Sequence, residues 1–231
     1  MQIDVESKPS YALAVVTLAK GETIIAESSS MVGMDAGLTV DTTFNGTGDG
    51  GVVDFLTAAF VGLVRKFVAG ETMFVNVYKA ARDGARVLLA PAMIGDVIHV
   101  SLDGQRKITV QAESFLACTP GVKQRLVWGG LAMLFSGEGA FFLACSGKGE
   151  LLVNTYGGIE EVEVDGGYIV DSGHVAAWEG QLTYKLRKAG GWKAAVLSGE
   201  GLVLEFKGKG KVWLQTRNLG SLVGWISPFF H

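Results

Sequence analysis

Cysteine, histidine and basic charge are all scarce in this chain, and each scarcity closes a class of function. Of 231 residues only two are cysteine, Cys118 and Cys145, and they form no spaced pair of the zinc or redox kind. Three histidines, His99, His174 and His231, leave no cluster of metal-ligand density, so no metal and no cofactor is expected. Lys and Arg number 20 against 23 Asp and Glu, a net charge of −3 that lacks the footprint of a dedicated nucleic-acid binder. Acids stand in Met1-Gln2-Ile3-Asp4-Val5-Glu6, where a secretory signal has a basic start and an apolar run, which points to a cytoplasmic protein with reduced thiols.

Catalytic constellations are missing too. Gly46-Thr47-Gly48-Asp49-Gly50-Gly51 has the G-x-G-x-x-G spacing, but Asp49 would set a negative charge beside a pyrophosphate and no βαβ series follows. Asp171, Ser172 and His174 stand too close along one extended segment to line up for successive proton transfers. His99 reads as a hydrogen-bonded structural histidine. Lys207, Lys209, Lys211 and Arg217 surround Trp213 as in a base-stacking platform, yet the neighbouring strand positions are apolar on both faces, which indicates burial. The chain is expected to be non-enzymatic.

Apolar residues, by contrast, are plentiful: 48% of the chain, with a mean hydropathy of +0.33. That is more apolar surface than one soluble monomer comfortably hides, and it predicts a homo-oligomer. Thirty-three glycines and four prolines punctuate β-rich runs at Ala12–Leu18, Val87–Ala90, Val97–Leu102, Ile108–Val110, Leu151–Asn154, Glu161–Val164, Gly201–Phe206 and Val212–Thr216. Short strands at turn-sized spacing predict a sandwich or barrel. Asp103-Gly104 and Asp165-Gly166, between such runs, are expected to form tight hairpins. One helix is predicted, Asp54–Val68, with an apolar stripe that includes Phe55, Phe60, Leu63 and Phe67. It is too short and interrupted to span a membrane; it packs on the β body or, alternatively, lies on a membrane surface.

The chain also repeats itself. Ser136-Gly137-Glu138-Gly139 recurs as Ser198-Gly199-Glu200-Gly201, Gly147-Lys148-Gly149 as Gly208-Lys209-Gly210, and Leu151–Thr155 as Val212–Thr216. A further copy runs from Ala69-Gly70-Glu71 through Val87–Ala90 to Asp103-Gly104. Three units are expected: 70–135, 136–197, and 198–231 completed by 1–50, with 51–69 a helical insertion. The shared Ala-Glu-Ser of Ala26-Glu27-Ser28 and Ala112-Glu113-Ser114 supports joining the two ends, so Leu222–Ile226 is expected in one β module with Thr23–Met31. Aligning the copies puts Leu152 and Leu89 in the place of Trp213, and these three are candidate interface or core positions.

Gly21-Glu22, Gly70-Glu71-Thr72-Met73-Phe74, Ser114-Phe115-Leu116-Ala117, Val170-Asp171-Ser172-Gly173-His174 and Ser198-Gly199-Glu200-Gly201 running into Val212–Arg217 together resemble the altered-inheritance-of-mitochondria protein 24 family, over nearly the whole chain. The resemblance implies repeated double-stranded β-helix modules similar to the tryptophan RNA-binding attenuator protein; with the strand spacing and helix period above, the expected fold is all-β, of double-stranded β-helix or β-sandwich modules with one short amphipathic helix. It also implies a trimer and a scaffold-like role, and it brings no catalytic residue. The reading is a non-enzymatic oligomeric β scaffold or binding protein. The alternatives are a membrane-surface organiser using the 54–68 helix, or a nucleic-acid or small-ligand binder.

Overall fold

The structure is a computed structural model describing residues 1–44, 74–128, 141–188 and 202–230. It is an all-β protein with one short α-helix among the described residues. One strand order recurs three times. The first module has β2 (Leu13–Leu18), β3 (Thr23–Glu27), β4 (Met31–Met34), β5 (Leu38–Phe44), β6 (Phe74–Ala80) and β7 (Ala85–Leu89). The second has β8 (Val97–Asp103), β9 (Ile108–Gln111), β10 (Phe115–Cys118), β11 (Val122–Trp128) and β12 (Phe141–Asn154). In the third the same path is drawn with three long strands, β13 (Ile159–Asp171), β14 (Val175–Lys188) and β15 (Leu202–Gln215). A leading strand, β1 (Gln2–Glu6), pairs with β2.

Each module makes two three-stranded antiparallel groups. One is β2-β7-β4, then β8-β12-β10; the other is β3-β6-β5, then β9-β12-β11; β13-β15-β14 supplies both from the two halves of its strands. A register shift falls at one equivalent place in every module: between Met31 and Gly33, Phe115 and Ala117, and Val175 and Ala177. The extra residue of such a bulge re-aims the strand and sharpens its twist.

Alternation explains the strands. Ala14, Val16 and Leu18 of β2 and Ile24 and Ala26 of β3 are buried while their neighbours are half-exposed, the period-two pattern of a sheet with one covered face. The repeated Gly-Lys-Gly segments mark the place where β12 and β15 pass from one group to the other. A Cβ on Gly208, whose φ is +118°, would overlap the Gln181 carbonyl, and one on Gly210 would overlap that of Glu179. Only glycine permits that backbone approach.

Modules join through their edges. Ala26 and Ile25 of β3 pair with Ala117 and Cys118 of β10, and Ile108–Val110 of β9 pair with Glu179, Trp178 and Ala177 of β14. The cores straddle these joins: Leu116, Ala117 and Leu152 of the second module pack with Leu18, Ile24, Tyr78 and Leu89 of the first. Trp213 and Ala177 of the third pack with Ile108, Val110 and Leu151. The third core is aromatic, with the Trp178 ring edge-on to Phe142 at 4.9 Å and to Phe206 at 5.5 Å.

Several sequence expectations are corrected here. The described helix is α1 (Leu219–Ile226); the predicted 54–68 helix, with Phe55, Phe60, Leu63 and Phe67, lies outside the described residues. Because Leu222–Ile226 is helical and Thr23–Glu27 is a strand between β6 and β10, the two share no sheet. Among the described residues strand pairing thus sets the modules consecutively along the chain, and no strand pairing joins the C-terminal segment to the N-terminal one as the expected closed unit of 198–231 with 1–50 requires. The Ala-Glu-Ser match misled: by the bulges, Glu27 is equivalent to Gln111 and Asp171, two residues from Glu113. Likewise Leu88, paired with Gly33, takes the place of Leu152 and Trp213 rather than Leu89. Neither Asp-Gly pair makes a hairpin. β8 and β9 pair with different halves of β12, and Asp165-Gly166 continues β13 in unbroken register with β15, because both pairs sit at the corner between the two groups.

Candidate functional site

The sequence candidates distribute themselves inside the chain. Leu89 and Leu152 are fully buried in the first core, and Trp213 is buried in the second. Trp213 Nε1 donates to Glu161 (2.9 Å), and Lys211 pairs with Glu161 (2.6 Å) and Glu163 (3.4 Å) across β13. Lys207 pairs with Glu205 and Lys209 with Asp165. The three lysines of the basic row are therefore met by acids, Arg217 donates to the Thr216 carbonyl, and the tryptophan is buried in the core. His99 Nε2 meets Glu150 at 2.7 Å.

Asp171, Ser172 and His174 do not form a triad. Asp171 accepts from its own neighbour Gly173 N (2.9 Å), and Ser172 Oγ donates to the Leu202 carbonyl (2.9 Å). His174 ends a 3-10 turn (Ser172–His174) and turns the other way, toward Gln215 and Asn218. Among the described residues no group of three or more His, Cys, Asp or Glu side chains stands close enough to hold a metal ion. Burial pushes both the Cys118 and the Cys145 thiols up to about 12, the opposite of what a nucleophilic cysteine requires. Glu27, at the end of β3, is pushed up to about 7 by desolvation.

What the sequence reading missed lies where the linkers between modules run side by side. Ala12 N donates to the Gly95 carbonyl (3.0 Å), Gly157 N to that of Ile94 (2.8 Å) and Arg217 N to that of Tyr156 (3.2 Å). Gly95 and Gly157 form a parallel bridge. Past Arg217 the chain turns into α1. Asn218 caps it: extended in backbone, it accepts from Ser221 N at 2.6 Å. Asn218 Nδ2 in turn donates to His174 Nε2 (2.8 Å), and His174 Nδ1 donates to the Gln215 carbonyl (2.7 Å). That carbonyl can only accept and the Asn218 amide nitrogen can only donate, so the ring is the neutral tautomer with its proton on Nδ1. Beside this cap lies a cavity of about 60 Å³, lined among others by Glu113, Asn154, Tyr156, Gln215 and Asn218.

No residue of α1 is buried. Trp225 is 68% exposed, Phe229 72% and Phe230 74%, with Leu219 and Val223 about half exposed. From Asn218 to Phe230 there is no charged side chain. Tyr11 and Ile94, beside the same linkers, are also largely exposed. Among the described residues no helix is long and apolar enough to cross a membrane.

Three all-β modules in tandem, sharing edges and cores, define a multi-module β protein with an uncovered apolar segment on its linker side. The chain belongs to the family described as Mitochondrial biogenesis AIM24, whose model matches residues 3–217. It is 28% identical to an uncharacterized protein of Streptococcus pyogenes serotype M6, over 99% of this chain and 91% of that protein. The crystal structure of protein SPYM3_0169 from Streptococcus pyogenes has the same fold, with a TM-score of 0.78, 23% identity and 99% of each chain covered.

Proposed function

We propose that this protein is a non-enzymatic scaffold that self-associates through its linker-side face. The observation that supports this is the uncharged segment Leu219–Phe230, which leaves Trp225, Phe229 and Phe230 mostly in solvent. A fully buried large apolar side chain contributes about 1.5–3 kcal/mol relative to exposure, so three exposed aromatic side chains leave a substantial driving force for a partner. A second copy carries the same surface, and the family likeness makes a trimer the proposed assembly. Light scattering tests it: the wild type should be oligomeric at micromolar concentration, and Trp225→Ser/Phe229→Ser should shift it toward monomer. A monomeric wild type refutes the reading.

The same segment also suits a bilayer interface, where tryptophan and phenylalanine insert among head groups. Sedimentation with liposomes that is lost in the double variant would favour a membrane-surface organiser instead.

A further inference from the structure

We infer that His174 is an acid-sensitive latch on α1: its protonation removes the acceptor that holds Asn218 and so releases the cap of the apolar segment. The inference rests on the scaffold reading only for its consequence, since the latch itself is a chain of three hydrogen bonds. Ser221 N donates to Asn218 Oδ1, Asn218 Nδ2 donates to His174 Nε2, and His174 Nδ1 donates to the Gln215 carbonyl. Each bond fixes the direction of the next. Neutral imidazole is required, because only Nε2 without a proton can accept from the amide.

Histidine is the side chain that ordinarily gains a proton between about pH 8 and about pH 5. Once Nε2 carries a proton, two donors face each other across 2.8 Å. The geometry offers one local remedy, rotation of the Asn218 amide so that Oδ1 accepts from the ring. That rotation turns Nδ2 toward Ser221 N, and the helix loses its cap. Among the described residues burial does not secure the helix, since none of its residues is buried and it has only eight; helices of that length are marginal without support.

The charged groups around His174 do not substitute for Asn218. Asp171, at the start of the same turn, is occupied by Gly173 N. Arg217, on the linker into α1, donates to the Thr216 carbonyl. Glu113, from the 3-10 turn Ala112–Ser114, stands at the cavity that Gly173 and Asn218 also line. Gln215 meets the ring through its carbonyl, while its side chain accepts from Tyr156 N and donates to the Gly173 carbonyl.

The test is an NMR titration of the full chain, following the His174 ring and the Ser221 amide. Both should titrate with one midpoint, the Ser221 signal moving toward its uncapped position in acid. His174→Gln retains an acceptor and a donor but cannot gain a proton, so its Ser221 signal should stay capped throughout. Asn218→Asp, whose carboxylate accepts from both the charged ring and Ser221 N, should hold the cap in acid. His99→Gln in β8 and Glu27→Gln in β3, on elements outside the latch, should leave the Ser221 midpoint unchanged. A Ser221 signal that ignores the His174 midpoint in the wild type overturns the latch, whether or not the variants fold. Light scattering along the same titration reads the scaffold proposal separately: a working latch on a chain that is monomeric at every pH would sink self-association and leave the latch standing.

Discussion

The corner glycines provide a matched test of how the long strands pass between sheets. Gly166 and Gly208 face each other across β13 and β15, and both have backbone angles that side chains rarely adopt, φ +109° and +118°. Their surroundings differ. A Cβ on Gly166 meets nothing within 4 Å, whereas one on Gly208 overlaps the Gln181 carbonyl. Alanine at Gly166 therefore adds only backbone strain, about 1–3 kcal/mol. At Gly208 the same strain is joined by a clash with ladder backbone that cannot swing aside, a further ~1–3 kcal/mol by the usual cost of overpacking. A chain of this size loses about 2–4 °C of Tm per kcal/mol, so Gly166→Ala should melt roughly 6 °C below wild type and Gly208→Ala roughly 12 °C below. Thermal unfolding followed by circular dichroism measures both. Equal losses would refute the close approach, leaving backbone angle as the whole reason for glycine at Gly208.

Three other outcomes follow from the interior. Because burial raises both thiols to about 12, the native protein should not react with a thiol reagent near pH 8, and both cysteines should react once the chain is unfolded in denaturant. Glu27 has a folded-state value of about 7 against 4.5 for the free carboxyl, so between those values the unfolded chain releases a proton that the folded one keeps; stability should fall as pH rises from about 4.5 to 7, and Glu27→Gln should flatten that slope in melts across the range. Arg106 donates from Nε and Nη2 to both carboxylate oxygens of Glu179, at 2.5 and 2.8 Å, joining the second module to the third; Arg106→Ala should lower stability by about 1.5–3 kcal/mol in urea unfolding, and a loss within error would mean that solvent serves Glu179 equally well.

Much of the β structure is legible in the sequence because it obeys a period of two. The runs at Val97–Leu102, Ile108–Val110 and Leu151–Asn154 are strands or parts of strands, and the Gly-Lys-Gly recurrence does mark equivalent places in β12 and β15. What the sequence conceals is pairing. A strand that serves two sheets in succession looks the same as two strands joined by a turn, so Asp165-Gly166 reads as a hairpin although it bends a continuous strand. The repeat offset escaped for a related reason: a shared Ala-Glu-Ser triplet is visible, while the bulges that set the true alignment exist only in the ladder. Helix α1 was hidden by its two glycines and short length, although Asn218 before it and Pro228 behind it are start and stop signals. His174 stood out in the sequence, but its partners Gln215 and Asn218 lie more than forty residues onward, and only the third module's folding brings them together.

The sharing of cores bears directly on the self-association proposed for this chain. If each module had its own interior, the row would be beads on a string, and any surface on one module would move freely against the next. Instead Trp213, near the end of β15, completes the second core with Ile108 and Leu151, and Leu152, near the end of β12, completes the first with Leu18 and Ile24. Edge pairing of β3 with β10 and of β9 with β14 locks the same joins through backbone hydrogen bonds. Repeats coupled this tightly gain stability mainly at their interfaces, so the modules fold and unfold together. The linkers are then fixed relative to one another, as their cross-bonds from Ala12 to Gly95, Gly157 to Ile94 and Arg217 to Tyr156 require. A rigid row carrying its exposed apolar segment beside those linkers presents the segment in one orientation, which is the condition for a repeated assembly contact rather than indiscriminate sticking. Among the described residues, α1 is the element least anchored to that row: none of its residues is buried, and the hydrogen bond from Asn218 to His174 ties its cap to the body.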